Sequence, residues 1–138
     1  MLAAHLGQEL EPVARTDVYV EQYLIKVNIE AEVAATIART MLLPAAVRHL
    51  QELQAAGVEP AVAETTSLVH ELWSAIAELE SANATHEGEE GSLEHAKYMR
   101  DTVLPAMAAV REVADKLEGI VPDDLWPLPK YAEILFIK

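Results

Sequence analysis

Apolar positions recur in this chain with the period of a helix. Val20, Leu24, Val27, Ala31, Ala34, Ala38, Met41 and Ala45 are separated by alternating steps of four and three. Such steps keep one stripe of a helix turned toward a partner helix. Pro12 suits a first helical turn, where its missing N–H has no partner to lose. Gly57 suits a helix end, so the pattern predicts a first helix over about 12–56. Pro60 opens a second, over about 60–86, with a seam at Leu68, Leu72, Ala75 and Leu79 thickened by Val69, Trp73 and Ile76. The segment from Glu87 to Gly91 is charged and glycine-bearing, and reads as an exposed turn. Ser92 is a candidate N-cap for a third helix over about 92–119, which repeats Val103, Met107, Val110, Ala114 and Leu117 before Gly119. No stretch sustains the period-2 alternation of a strand, so no sheet is expected.

Two prolines interrupt these patterns. Pro44 and Pro105 each remove a helical hydrogen bond and crowd the preceding turn, which predicts a kink or local break. Their settings are alike: Arg39, Leu43, Pro44 and Ala45 match Arg100, Leu104, Pro105 and Ala106 at equal offsets. Chance and an old duplication both account for the match. Length adds a constraint. A 45-residue helix spans roughly 68 Å, whereas the second and third helices reach about 40 Å each. The first must bend at Pro44 or project past the others, leaving Tyr19, Tyr23, Leu24 and Val27 in need of cover. Prolines 127 and 129 disfavour helix in the tail over 120–138, which should run extended. Its apolar cluster of Trp126, Tyr131, Ile134, Leu135 and Phe136 is expected to fold back over the tyrosine face, or else to dock on another domain or subunit. The expected architecture is all-α. It is a single domain, 1–138: an antiparallel bundle of three long helices (four or more segments if the prolines kink them) with an extended C-terminal tail.

Composition narrows the partners. Of the 138 residues, 51% are hydrophobic, enough for a real core. The net charge of −13 argues against nucleic acid and anionic membrane surfaces, whose phosphates it would repel. The chain has no cysteine, which excludes disulfides and thiolate chemistry. No apolar run approaches a membrane span, and the N-terminus lacks the pattern of a secretory signal. A cytoplasmic location is the expectation.

Catalytic patterns are not found. A di-iron carboxylate bundle needs Glu-x-x-His pairs, but the residues three before the five histidines are Leu2, Ala46, Ser67, Asn83 and Ser92. The reversed pair His49-x-x-Glu52 reads as a solvated surface pair. A histidine phosphotransfer site would want basic and small residues after the histidine. His70 is followed by Glu71, Leu72 and Trp73, and His95 has Lys97 but also Tyr98 and Met99. There is no phosphate-binding glycine loop and no nucleophile elbow.

Four ordered segments carry a resemblance. Tyr19, Tyr23 and the run Asn28-Ile29-Glu30 are the first, and Leu42-Leu43-Pro44-Ala45 is the second. Tyr98, Arg100, Asp101, Val103 and Pro105-Ala106-Met107 make the third. Trp126-Pro127, Pro129, Tyr131 and Leu135-Phe136 make the fourth. Together, over about residues 17–136, they are similar to the C-terminal region of type III glutamine synthetases. The resemblance implies the structural and assembly domain of an oligomeric, cytoplasmic ligase that joins ammonia to glutamate with ATP and a divalent metal (Mg or Mn). That family's metal and phosphate ligands belong to a catalytic domain upstream, with no matching positions here. No catalytic, cofactor-binding or metal residue is therefore assigned in this chain, and the partners implied are that catalytic domain and further subunits. The candidate interaction and tail-docking residues are Tyr19, Tyr23, Trp126, Tyr131 and Phe136. The alternative expectation is a free-standing acidic helical-bundle interaction protein without enzymatic activity.

Overall fold

A computed structural model of the protein describes residues 2–85 and 88–135, with side chains over 15–85, 88–130 and 133–135. Its regular elements are all helical, with no strand among the described residues. Helix α1 (Leu2–Ile37) passes through a π-helical turn (Ala38–Leu42) into α2 (Leu43–Ala56). Helix α3 covers Glu59–Ala84. Helix α4 (Leu93–Tyr98) passes through a second π turn (Met99–Val103) into α5 (Leu104–Glu118), and α6 is one short turn over Tyr131–Leu135.

The first helix starts at Leu2, ten residues earlier than the proline suggests. Residues 2–11 are rich in Leu, Ala, Glu and Gln, which favour helix. Pro12 therefore falls inside α1 instead of opening it.

Pro44 and Pro105 each follow a π turn at the same offset. The Leu43 N–H donates to the Ala38 carbonyl, five residues back, just before Pro44. The Leu104 N–H donates to the Met99 carbonyl just before Pro105. A wider turn makes room where a proline ring would crowd the carbonyl four residues back. The rod is neither broken nor stopped: Leu43 and Leu104 keep right-handed helical backbone angles.

The π turns also change which residues face the core. Each adds one residue to a turn, so residues within it depart from the strict heptad, while Ala45, Val110 and Leu117 beyond the two turns stay buried as the seam predicts. Met41 is exposed, while Leu42, Leu43 and Ala46 are buried. In the second case Met99 and Val103 are buried, and Met107 is only partly so. The seam of α3 stands as its pattern predicts, with Leu68, Leu72, Ala75, Ile76 and Leu79 buried.

Gly57 ends α2 in the left-handed region, φ 73°, and its N–H reaches the Leu53 and Gln54 carbonyls. Only Val58 separates it from α3, so α2 and α3 form a tight helical hairpin. Ser92 caps α4, its hydroxyl accepting from the His95 N–H at 3.1 Å. The Tyr98 hydroxyl donates to the Ala82 carbonyl at 2.9 Å and ties α4 to the end of α3.

The tail is not extended throughout. Leu125 and Trp126 N–H groups close a turn on the Pro122 carbonyl. Lys130 Nζ donates to the Val121 carbonyl at 2.6 Å and pairs with Asp123 at 2.7 Å. The Lys130 N–H donates to Glu133 Oε2, and α6 follows directly. The prolines at 127 and 129 keep helix out of the segment between these turns, as proline should, but they do not straighten it.

Candidate docking surface

The predicted interaction residues fall in different places. Trp126 is only 7% exposed and joins the core. With Leu128 it lines a groove shared with Ala34, Ala38, Val110 and Ala114, where small side chains leave room for the indole. The described part of the tail thus covers the crossing of the first rod with α5. Tyr19 is 68% exposed and Tyr23 37% exposed. The Tyr131 side chain and all of Phe136 lie outside the described residues.

Helix α1 carries a second apolar stripe that the heptad seam does not account for. Val18, Ile25, Ile29 and Val33 are each about half exposed. At 100° per residue, Ile25, Ile29 and Val33 sit roughly 100–180° around the helix from buried Leu24. The spacing of seven, four and four is visible in the sequence, yet a search for a single seam passes over it. A helix with one buried apolar face needs only one partner layer, whereas this one has a second face of similar character.

Charged and aromatic groups meet at one further surface. The Arg39 guanidinium forms two 2.7 Å hydrogen bonds to Glu80 and lies 5.0 Å from the Trp73 ring centroid. Trp73, expected in the α3 seam, is in fact exposed and serves as the platform for Arg39. The hydrogen bond from Arg39 holds the Glu80 carboxyl below its ordinary value. Arg100, the counterpart of Arg39, instead pairs with its neighbour Asp101.

Little here resembles a reaction centre. His95 is 95% removed from solvent, whereas a phosphotransfer histidine must be accessible. His70 is exposed, but it lines a groove with Glu71, Glu78 and Glu112, which would repel a phosphoryl group. His49 is half-buried on α2. Among the described residues no three His, Asp or Glu side chains gather as metal ligands. No described helix is long and apolar enough to cross a membrane.

Comparison with known proteins points to one family. The glutamine synthetase C-terminal domain family matches residues 4–59. The type-3 glutamine synthetase of Dictyostelium discoideum is 32% identical over 148 residues, covering 94% of this chain and 20% of that protein. The chain is related to the C-terminal domain of type III glutamine synthetases. A glutamine synthetase of Bacteroides fragilis (strain YCH46) is 26% identical over 156 residues, covering 100% of this chain and 21% of its own length. The chain therefore spans about a fifth of these relatives. The family match ends at residue 59, close to Gly57 where the first rod ends, so the matched part carries both apolar faces of α1.

Proposed function

We propose that this chain is a structural and assembly domain of the type III glutamine synthetase kind, an antiparallel bundle of three rods that docks through α1. The outer stripe of Val18, Ile25, Ile29 and Val33 carries this reading. Its inner seam already has partners in the bundle, so the outer stripe is available for another domain or subunit. Tyr19 and Tyr23 extend the same exposed helix and would lie at the edge of that contact. In this reading glutamate, ATP and the divalent metal are handled by other parts of the assembled ligase, in the cytoplasm. The chain by itself should release no phosphate from ATP in the presence of glutamate and ammonia.

A chimera tests this. The corresponding region of the Dictyostelium enzyme is replaced by this chain, and particle mass and glutamine formation are measured. The chimera should assemble and make glutamine. Changing Val18, Ile25, Ile29 and Val33 to Ser should leave the helical signal intact and disperse the assembly. A Ser variant that assembles like the parent chimera would show that docking runs through another face.

A further inference from the structure

Between α1 and the start of α4 lies a groove distinct from the stripe but continuous with it. Leu24, Ile25 and Met99 supply its apolar walls, and Asp17, Glu21 and Glu90 its carboxylates. No Lys or Arg is among the described residues that line it. Beside the groove, Lys26 sits 4.0 Å from Glu30 and Arg100 pairs with Asp101, while Asn28 and His95 complete its lining. The acidic wall is set by the turn before α4. Gly88 and Gly91 both have positive φ, 88° and 81°, which places Glu90 opposite α1. A Cβ on Gly88 would come within 2.9 Å of the Glu94 Cβ, so the tight packing of this turn on α4 requires glycine.

Ile25 belongs to both surfaces: it lines the groove and continues into Ile29 and Val33. An occupant that satisfies both must be elongated, apolar on one side and cationic at one end. We infer that the groove takes a Lys or Arg side chain from a polypeptide segment whose apolar residues lie along the outer stripe of α1. The methylene stem of such a side chain matches Leu24, Ile25 and Met99, and its charged head reaches the three carboxylates. A second copy of this chain fits less well, since each copy brings a net charge of −13. The inference rests on the stripe being a docking face and adds the chemistry of what docks there.

The probes are an 18-residue amphipathic peptide of Leu and Lys, and its counterpart of Leu and Glu, titrated into the 138-residue chain by fluorescence anisotropy and amide NMR. The Lys peptide should bind saturably, shift amides of residues 17–28 and 88–95, and weaken with salt, while the Glu peptide should not bind. The triple variant D17N/E21Q/E90Q should lose at least tenfold in affinity. The control E71Q/E78Q/E112Q removes as much charge from the α3–α5 groove and should stay within twofold. No saturable binding, or equal losses in the two triple variants, would overturn the inference, the latter because it reports only attraction to a polyanion. The chimera experiment is independent of this outcome. If assembly needs the stripe but ignores D17N/E21Q/E90Q, the docking reading stands and the basic occupant is wrong.

Discussion

Leu72 and Trp73 are neighbours in sequence and opposites in environment. Leu72 is fully buried at the centre of α3, whereas Trp73 is 56% exposed beneath Arg39. A single periodic pattern locates Leu72 correctly because its spacing to Leu68, Ala75 and Leu79 fixes one direction of the helix. It misplaces Trp73, since a large apolar ring beside the seam satisfies the same pattern while a cation from another helix provides its cover. Replacing Leu72 with Ala should therefore destabilise the chain by ~2–4 kcal/mol, through lost transfer energy and a residual cavity. Replacing exposed Glu89 with Ala should change stability by no more than ~0.5 kcal/mol. Urea unfolding of both variants checks the pair, and similar midpoint shifts would mean that the α3 seam is misassigned. The Arg39–Glu80 pair adds a dependence on pH. The Glu80 carboxyl titrates below its ordinary value because Arg39 hydrogen-bonds its charged form. Its contribution is fully present above the ordinary glutamate pKa and is lost as pH falls through the lowered one. The stability gap between the native chain and Glu80→Gln should be flat from neutral pH down to about 5 and close in stronger acid. A gap that widens on acidification would contradict the assignment, and salt should narrow it because both side chains remain in contact with solvent.

At the scale of elements, the sequence shows where the helices run and where proline disturbs them, but not how the disturbance is resolved. A missing N–H at residues 44 and 105 is readable from the letters alone. Whether the rod kinks, stops or widens depends on which carbonyl the preceding residue reaches, a choice between partners one residue apart. Packing decides it: the π turns bring Leu42 and Leu43, and again Met99 and Val103, onto the core. The capping residues were legible for a simpler reason. Gly57 and Ser92 act through local backbone geometry, which needs no tertiary context. The outer stripe of α1 is equally present in the letters, but half-exposed residues show their meaning only once the inner face is known to be filled. One deletion tests the π turn. Thr40 is exposed, and its hydroxyl donates only to the Thr36 carbonyl within the same helix. Thr40→Ala should change stability by ~0.5 kcal/mol or less. Deleting Thr40 removes the extra residue and closes the wide turn to an ordinary α-helical one, which keeps the register beyond it but brings the Pro44 ring against the carbonyl four residues back. The loss should reach ~3 kcal/mol, the cost of a proline inside a helix. A deletion as mild as Thr40→Ala, measured by thermal melting, would show that the π turn is not what accommodates Pro44.

Across the whole molecule, the tail and the outer face of α1 set the balance between self-sufficiency and association. An apolar tail that covered Tyr19 and Tyr23 would leave the chain little to offer a partner. The described part of the tail covers another region: Trp126 lies with Ala34, Ala38, Val110 and Ala114, at the crossing of the first rod with α5. Lys130 anchors this arrangement through the Val121 carbonyl and Asp123. The bundle is thus closed at its centre and open along the outer face of α1, the division of labour that a docking domain requires. Prolines at 127 and 129 gave away the irregular backbone of the tail, but its destination depends on small residues at positions 34, 38 and 114 that come together only in the fold. Removing residues 122–138 separates the two placements. If Trp126 fills the α1–α5 crossing, the truncated chain should lose at least the ~3–5 kcal/mol typical of removing a buried Trp. Nitration of Tyr19 and Tyr23 by tetranitromethane, followed by mass spectrometry, should proceed at the same rate in both chains below their melting temperatures, because both tyrosines are exposed and Trp126 and Leu128 of the tail lie elsewhere. If both tyrosines instead react markedly faster after truncation while stability barely changes, the tail lies on the tyrosine face. The outer surface of α1 would then be covered in the native chain and unavailable for docking.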